Sequence, residues 1–260
     1  MKDLSQGRVL LVGAGPGDPG LLTVKALEAI QSAEVVVFDR LVSPEIMALI
    51  PEGVPRIDVG KSPKCHKLSQ DEINALLIRL AGLGQRVVRL KGGDPLIFGR
   101  GSEEAAALRA RGIPCDYIPG ITAAQGASAS TGVPLTHRGL ATGVRYVTGH
   151  RARDAGLDLD WPSLASGDTT LVCYMSAMNI AEITFELMRH GLPATTPAMA
   201  VASATTPRET RLVSTLGGMA ADIATHRPEA PVLFIIGQVV SLYGDVAGMA
   251  VPEGEARCYA

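Results

Sequence analysis

The stretch "VGAGPGDPG", residues 12–20, directly follows the apolar run Val9–Leu11. A glycine-rich turn after a buried strand is typical of α/β proteins that bind a ligand at the strand end. Gly13 and Gly15 occupy the first two positions of the dinucleotide fingerprint G-x-G-x-x-G. The third glycine is replaced by Asp18, whose carboxylate would repel a pyrophosphate, and two prolines of the turn lack an amide hydrogen. The turn therefore favours a cationic or uncharged ligand over a phosphate.

A dinucleotide-binding enzyme is the alternative interpretation of this turn. Asp39, at the end of the second predicted strand, has the place of the acid that binds a ribose hydroxyl in Rossmann dehydrogenases. An NAD-dependent dehydrogenase is therefore kept as an alternative. A P-loop is disfavoured because no Gly-Lys-Ser/Thr follows the turn.

A second glycine-rich turn lies in "RLKGGDPLIFGRGSEE", residues 89–104. It repeats the Gly-Asp-Pro order of residues 17–19, carries the carboxylate of Asp94 and presents Arg100 at the start of the next predicted helix. Two such turns at the carboxyl ends of two strands would line the crevice where open α/β sheets bind ligands. The alternative is a tight strand-to-helix turn in which Asp94 acts only as a cap.

Short β-branched runs alternate with helix-period stretches along the chain, which predicts an α/β protein with mostly parallel sheets and right-handed crossovers. Ser69 and Glu72 form a capping-box pair at the start of one predicted helix, and a second capped helix is predicted from Ser102. The predicted strands are Val9–Val12, Glu34–Phe38, Arg56–Val59, Val87–Leu90, Asp116–Ile118, Arg145–Thr148, Thr170–Tyr174, Ala198–Ala202, Arg211–Ser214 and Val232–Ile236.

Residues 120–142 are rich in glycine, serine and threonine, and strand-like runs resume after them. We therefore expect two α/β domains that meet near residues 136–143. The predicted division is an N-terminal domain at 1–136, a C-terminal domain at 137–245 and a tail at 246–260.

The composition excludes several classes of partner. The net charge of the 260 residues is −2, only 4% are aromatic and no Lys/Arg block occurs, so broad nucleic-acid or membrane-surface binding is not expected. The four cysteines are far apart without a C-x-x-C pair, which indicates reduced thiols and no metal site. No apolar run approaches 18 residues and the N-terminus has no apolar signal region, so we expect a soluble, cytoplasmic protein.

Both glycine turns belong to an ordered set of segments that spans nearly the whole chain and resembles the tetrapyrrole methylases. The segments "GKSPKCHKLSQDEIN" (60–74) and "GVPLTHR" (132–138) are most similar to the members that methylate uroporphyrinogen III. The other matching segments are "VGAGPGDPGLLTVKAL" (12–27), "DRLVSPEI" (39–46), "VVRLKGGDPLIFGRGSEE" (87–104), "PGITAA" (119–124), "TGH" (148–150), "LVCYM" (171–175) and "PVLFIIGQVV" (231–240).

The resemblance implies S-adenosylmethionine bound in a cleft between two α/β domains, S-adenosylhomocysteine as product, and a homodimer. It also implies transfer of two methyl groups to neighbouring pyrrole rings of uroporphyrinogen III. The product would be precorrin-2, on the route to sirohaem, cobalamin or haem d1. The sequence carries no NAD-binding module before the matched segments, which favours the single-function form. A precorrin or diphthine methyltransferase is the alternative within the family.

The resemblance also implies roles for individual residues. Asp39 and Lys61 match the acid/base positions, and Arg100 is a further candidate for assisting proton loss. The implied cofactor contacts are Pro16, Gly92, Gly93, Asp94, Ile97, Thr122, Ala123, Met175 and Ala204. The implied substrate contacts are Arg100, Glu103, Arg138 and Met175.

These residue types suit methyl transfer to a polyacid ring. A sulfonium donor is already activated, so glycine-lined loops that align the partners and exclude water are sufficient. Arginines bind the carboxylates on the substrate rim bidentately, and Glu103 could accept a pyrrole N–H. We expect that a Cβ at Gly92 would intrude on the cofactor. Asp39 and Lys61 could instead form structural salt bridges, and Ser176 and Glu209 depart from the family's usual glycine and glutamine.

Overall fold

The computed structural model describes residues 7–60, 68–149 and 157–243. The chain packs into two compact units: the first is Met1–Gly126 with Ser203–Glu209, and the second is Ala127–Ala202 with Thr210–Ala260. Lys61, one of the predicted catalytic residues, lies outside the described residues.

The first unit contains a five-stranded sheet in the order β3-β2-β4-β1-β5, with every neighbouring pair parallel. This sheet confirms the parallel arrangement predicted from the alternating pattern. Its strands are β1 (Arg8–Gly13), β2 (Val35–Phe38), β3 (Arg56–Asp58), β4 (Arg86–Lys91) and β5 (Cys115–Ile118). The helices before residue 126 are α1 (Val24–Gln31), α2 (Pro44–Met47), α3 (Gln70–Gly82) and α4 (Gly101–Arg109), and α5 (Ala123–Thr131) follows.

Helices cover both faces of this sheet, which explains why its central strands carry buried apolar side chains on both faces. Val9 and Leu11 point into a cluster with residues of α3 and α4, whereas Val12 and Val36 point into a cluster with residues of α1 and α2. Burial on both faces leaves only the strand ends and their following loops for a binding site.

The predicted capping box at the start of α3 is present. Ser69 accepts a hydrogen bond from the backbone N–H of Glu72, and the Glu72 carboxylate accepts one from the backbone N–H of Ser69. The predicted start of α4 is wrong, because Arg100 and not Ser102 precedes its first turn. Arg100 lies in the left-handed region without a side-chain cap, a conformation that propensity rules assign to glycine or asparagine.

The second unit contains another five-stranded sheet, in the order β6-β7-β10-β8-β9. Only β6 and β7 are parallel, and the other three pairs are antiparallel, so this sheet differs from the parallel expectation. The loop 203–209 between β8 and β9 is too short for a crossover, which needs about a dozen residues. These strands are β6 (Gly143–Thr148), β7 (Thr169–Tyr174), β8 (Pro197–Ala202), β9 (Thr210–Thr215) and β10 (Val232–Ile236).

One core cluster organises the second unit. The fully buried Cys173 and Phe234 lie at its centre, and Trp161 packs against it. The helices of this part are α6 (Trp161–Leu164), α7 (Ile180–Arg189) and α8 (Met219–His226). Across the described ranges, every helix is too short or too polar to span a bilayer.

Candidate functional site

The two glycine-rich turns meet at the carboxyl ends of β1 and β4, which are neighbouring parallel strands. Gly15 N–H donates to the Gly93 carbonyl at 3.1 Å, and Gly93 N–H donates to the Gly15 carbonyl at 2.7 Å. The expectation that both turns lie at one edge of the sheet is therefore confirmed. This edge is where open α/β sheets bind their ligands.

A third loop, which follows β5, packs against these turns through contacts that only glycine allows. A Cβ at Gly120 would lie 2.3 Å from the Gly93 carbonyl oxygen, and a Cβ at Gly13 would lie 2.5 Å from the Gly120 nitrogen. A Cβ at Gly93 would lie 3.9 Å from the Cα of Thr122 and 3.8 Å from the nitrogen of Ala123. Three predicted cofactor contacts are therefore neighbours on a surface formed mainly by backbone.

The Asp94 carboxylate holds two of these loops together. One oxygen accepts from Leu96 N–H at 2.8 Å and the other accepts from Gly120 N–H at 3.1 Å. The capping role weighed from the sequence is thus present. Because an ionised carboxylate has about four acceptor sites, these two bonds leave others for a ligand.

The first glycine turn does not have the geometry of a dinucleotide site. Asp18 accepts from Gly20 N–H at 2.7 Å and caps a short 3-10 turn, Pro19–Leu21. The first α-helix begins only at Val24. A dinucleotide fingerprint needs the glycine turn to open directly into a helix, so this geometry disfavours the dehydrogenase alternative.

The segment Ser203–Glu209 lies against the first glycine turn. The hydroxyl of Thr205 accepts from Asp18 N–H at 3.3 Å, and a Cβ at Gly17 would lie 2.5 Å from Thr206 Cγ2. Ala204, a predicted cofactor contact, is 9% exposed in this segment. Pro16, another, packs against the first turn of α5, where a Cβ at Gly126 would lie 2.6 Å from its ring.

Glu209, which the resemblance marks as a departure, stabilises this segment. Its carboxylate accepts from Thr205 N–H at 2.6 Å, a bond that a glutamine side-chain oxygen could also accept. Ser203 and Thr205 have φ values of 48° and 66°, so Ala204 lies between two left-handed residues. Such backbone persists only where the surrounding contacts determine it.

Gly92 allows a close approach to the loop after β2. A Cβ at this position would lie 2.8 Å from the Leu41 Cβ and 3.2 Å from the Leu41 carbonyl oxygen. It would therefore collide with that loop, and the expected collision with a cofactor stays a prediction. Ile97, four residues after Gly93, is half-buried.

The backbone around Arg100 is held in place by close contacts of the two glycines that flank it. Its flanking glycines both approach Pro95, because a Cβ at Gly99 or Gly101 would lie 2.7 or 2.6 Å from the Pro95 carbonyl oxygen. The guanidinium forms a bidentate pair with Glu103 over 2.9 and 2.6 Å, and both side chains are about half exposed. This hydrogen bond raises the pKa of Arg100 and lowers the pKa of Glu103. Two of the predicted substrate contacts are therefore adjacent.

Asp39 lies at the end of β2 and forms ion pairs with two cations of β4. Its Oδ1 is 2.6 Å from Arg89 and its Oδ2 is 3.4 Å from Lys91. Both cations also bind the fully buried Glu104. Sequence reasoning missed these three partners. The available signal was a lysine and an arginine within the buried strand "RVVRLK", because buried cations need anionic partners.

Met175 and Arg138 belong to the second unit. Met175 directly follows β7, has a φ of 53° and is 53% exposed, so it is not a core methionine. Ser176, which the resemblance also marks as a departure, is fully buried and donates to the Tyr174 carbonyl at 2.8 Å. Arg138 is exposed in a turn closed by hydrogen bonds between His137 and Ala141.

The arrangement in the first unit suits a nucleoside ligand that carries positive charge. The predicted contacts there are small or apolar, apart from the threonine and the one carboxylate, and none is basic. Backbone groups of such loops can approach a ligand closely because no side chain intervenes. The neighbouring Arg100 and Glu103 could bind charged or polar groups of a second ligand.

Known proteins similar to this chain support this interpretation. The family model for tetrapyrrole (corrin/porphyrin) methylases matches residues 8–220. A uroporphyrinogen-III C-methyltransferase of Paracoccus denitrificans is 61% identical over 93% of this chain and 84% of its own length. Siroheme synthase 1 of Yersinia enterocolitica is 48% identical over 94% of this chain, which spans only 51% of that protein.

The fold is also that of solved members. Uroporphyrin-III C-methyltransferase of Thermus thermophilus, crystallised with S-adenosylhomocysteine, superposes with a TM-score of 0.78 at 41% identity. The match covers 91% of this chain and 100% of the Thermus chain. Together with the glycine turns and their geometry, these matches show that the chain belongs to the tetrapyrrole methylase family.

Proposed function

We propose that this protein is an S-adenosylmethionine-dependent C-methyltransferase that adds two methyl groups to uroporphyrinogen III to give precorrin-2. The observation that carries the proposal is the backbone surface at the ends of β1 and β4, with Arg100 and Glu103 in the loop and helix that follow. The similarity to the Paracoccus and Thermus enzymes supports the choice of substrate within the family.

The residues of the first unit fit the cofactor. S-adenosylmethionine supplies a methyl group on a positively charged sulfur, so a site without basic side chains avoids repulsion. The glycine-only contacts of Gly13 and Gly120 keep side chains away from the backbone that would bind the nucleoside. We assign cofactor contacts to Pro16, Gly92, Gly93, Asp94, Ile97, Thr122, Ala123 and Ala204, and also to Met175 of the second unit.

The substrate is recognised through its carboxylates and pyrrole N–H groups. Arg100 exchanges its surface pair with Glu103 for a substrate carboxylate, and Glu103 is then free to accept a pyrrole N–H. The exchange costs little because exposed pairs contribute about 0–1 kcal/mol. Arg138 binds a further carboxylate, and Met175 offers a polarizable side chain to an aromatic or macrocyclic face.

Methylation of a pyrrole carbon requires that a proton leave the ring system. Asp39 is the proton acceptor in our proposal, because its carboxylate is 30% exposed while its cationic partners are buried. Lys61 is proposed as the second acid/base residue, which can return a proton to the ring while its double bonds rearrange, and Arg100 is proposed to assist proton loss by holding the ring in place through a carboxylate. The guanidinium of Arg100 is a very weak acid and stays protonated, so it cannot act as the base itself.

Incubation with uroporphyrinogen III and methyl-labelled S-adenosylmethionine tests the function. We expect two labels per tetrapyrrole and the absorbance of precorrin-2. Absence of label from uroporphyrinogen III would contradict the assignment, and label transferred only to a precorrin supplied in its place would favour the precorrin methyltransferase alternative. Thermal stabilisation by S-adenosylhomocysteine but not by NAD is expected.

We also propose a homodimer that acts in the cytoplasm on the route to sirohaem, cobalamin or haem d1. Free Cys115 and Cys173 support a reducing compartment. Exposed apolar side chains of the second unit, including Phe185 at 59% and Val213 at 48%, support self-association. Sedimentation equilibrium at micromolar concentration measures the mass, and a monomer would contradict the dimer.

A further inference from the structure

Four charged side chains lie together at the carboxyl ends of β2 and β4. Asp39 and Glu104 are the anions, and Arg89 and Lys91 are the cations of this buried charge cluster. Arg89, Lys91 and Glu104 have side chains that are 1%, 5% and 0% exposed. Burial of three charges is costly unless they compensate one another, so their arrangement needs an explanation beyond stability.

Glu104 is the centre of the cluster. Its Oε1 accepts from Lys91 Nζ at 2.9 Å, from Arg89 Nη2 at 3.2 Å and from Gln70 Nε2 at 3.3 Å. Its Oε2 is buried and has no hydrogen-bond partner among the residues that the structure describes. Glu104 cannot touch a substrate, so any effect on the reaction must pass through the cations.

Asp39 is the member of the cluster that reaches the surface. Each of its carboxylate oxygens is held by one cation, and its backbone N–H donates to the Leu90 carbonyl at 3.2 Å. The orientation of this carboxylate is therefore fixed by β4. Because an ionised carboxylate has about four acceptor sites, the two ion pairs leave others for a ligand.

The elements around Asp39 carry other charged groups. Arg40 follows it in the chain, and Asp58 ends the adjacent β3. Glu103 of α4 interacts electrostatically with Lys91, and Arg100 interacts with Glu104 and with Asp71 of α3. These groups remain unchanged in the variants described below.

We propose that Glu104, Arg89 and Lys91 are positioning residues that fix the orientation and the charge of the Asp39 carboxylate for proton acceptance. The inference rests on the proposed function, in which Asp39 accepts a proton. Glu104 offsets part of the positive charge that Arg89 and Lys91 place beside Asp39. Removing one anion or one cation should therefore change the ease of protonating Asp39 in opposite directions.

The test compares Glu104→Gln, Lys91→Met and the double variant in methyl-transfer assays across pH. Glu104→Gln leaves excess positive charge, so the acid limb of the pH–rate profile moves to lower pH by about one unit. Lys91→Met leaves excess negative charge, so the same limb moves to higher pH by a similar amount. The double variant restores charge balance and returns the limb to the wild-type position.

The design contains matched controls and a readout independent of catalysis. Glu34→Gln and Arg86→Met alter an exposed ion pair that includes the first residue of β4, and they should leave the limb in place. The carbon-13 titration of the Asp39 carboxyl, assigned by its loss in Asp39→Asn, should follow the same displacements without substrate. S-adenosylhomocysteine affinity should change less than twofold.

Equal or absent displacements in the two single variants would overturn the proposal, since a purely structural role gives lower activity without opposite shifts. If a single variant does not fold, the charge-balanced double variant decides, because a displaced limb there contradicts the proposal. Carbon-13 displacements in an enzyme that does not label uroporphyrinogen III would support the electrostatic coupling and refute the proposed function.

Discussion

Arg100 shows at the scale of one residue how this backbone presents a functional group. It is one of six non-glycine residues with positive φ among those described. Five of the six lie in loops that the proposed function assigns to ligand binding: Phe98, Arg100, Met175, Ser203 and Thr205. Each left-handed residue costs about 1–2 kcal/mol. Such strain is common where function requires a particular side-chain direction.

Replacing Arg100 with leucine should reduce methyl transfer far more than cofactor binding. The lost bidentate contact with a substrate carboxylate contributes about 1.5–3 kcal/mol, equivalent to about 10- to 150-fold in kcat/KM. Leucine is unbranched at Cβ, so it meets the same backbone strain as arginine. Steady-state kinetics and calorimetric titration with S-adenosylhomocysteine measure the two effects.

Two further substitutions make this result specific. Arg100→Lys retains the charge without the planar fork and should lose an intermediate amount of activity. Arg111→Leu removes an exposed arginine beyond the other end of α4 and should have no effect. Wild-type turnover in Arg100→Leu would remove Arg100 from the substrate site.

At the scale of elements, the site depends on the close approach of three loops after β1, β4 and β5. Gly120→Ala should destabilise the first unit by about 3 kcal/mol, because its Cβ would collide with backbone atoms of Gly93 and Gly13 that cannot rotate away. Cofactor affinity should fall as well, since these loops form the proposed site. Urea unfolding and titration with S-adenosylhomocysteine test both expectations.

Gly82→Ala provides the matched control for this substitution. Gly82 is the last residue of α3, and an added Cβ would meet no atom within 4 Å. The same change should therefore stabilise the protein by about 0.5–1 kcal/mol through the lower conformational entropy of the unfolded chain. Equal effects of the two substitutions would show that the loops do not pack as described.

The sequence predicts these elements well where the signal is local. Strands such as Val35–Phe38 are apolar on both faces and mainly β-branched, and the capping box of α3 needs only Ser69 and Glu72. The antiparallel placement of β10 between β7 and β8 depends on contacts distant in sequence, so alternation alone does not predict it. Alternation does not predict the buried charge cluster for the same reason, because Asp39 and Glu104 are distant from Lys91 in the sequence and only the fold brings them together.

At the scale of the whole molecule, each unit has its own core. The core of the second unit includes Cys173, and burial raises the pKa of this thiol from 9.0 to about 12. Unfolding exposes the thiol to water and returns its pKa to the ordinary value. Proton release by Cys173 is therefore coupled to unfolding at alkaline pH.

The sign of this coupling gives a prediction for alkaline stability. Since the pKa is raised in the folded state, its contribution to stability is complete below pH 9 and is lost as pH rises towards 12. In the middle of this window, from about pH 9.5 to about pH 11, the free energy of unfolding should fall more steeply with pH in wild type than in Cys173→Ala. The expected difference in slope is about 1.4 kcal/mol per pH unit. Trp161, the one tryptophan, packs on the same core and reports this transition by fluorescence. Parallel stability curves for the two proteins would mean that Cys173 is accessible to water in the folded state.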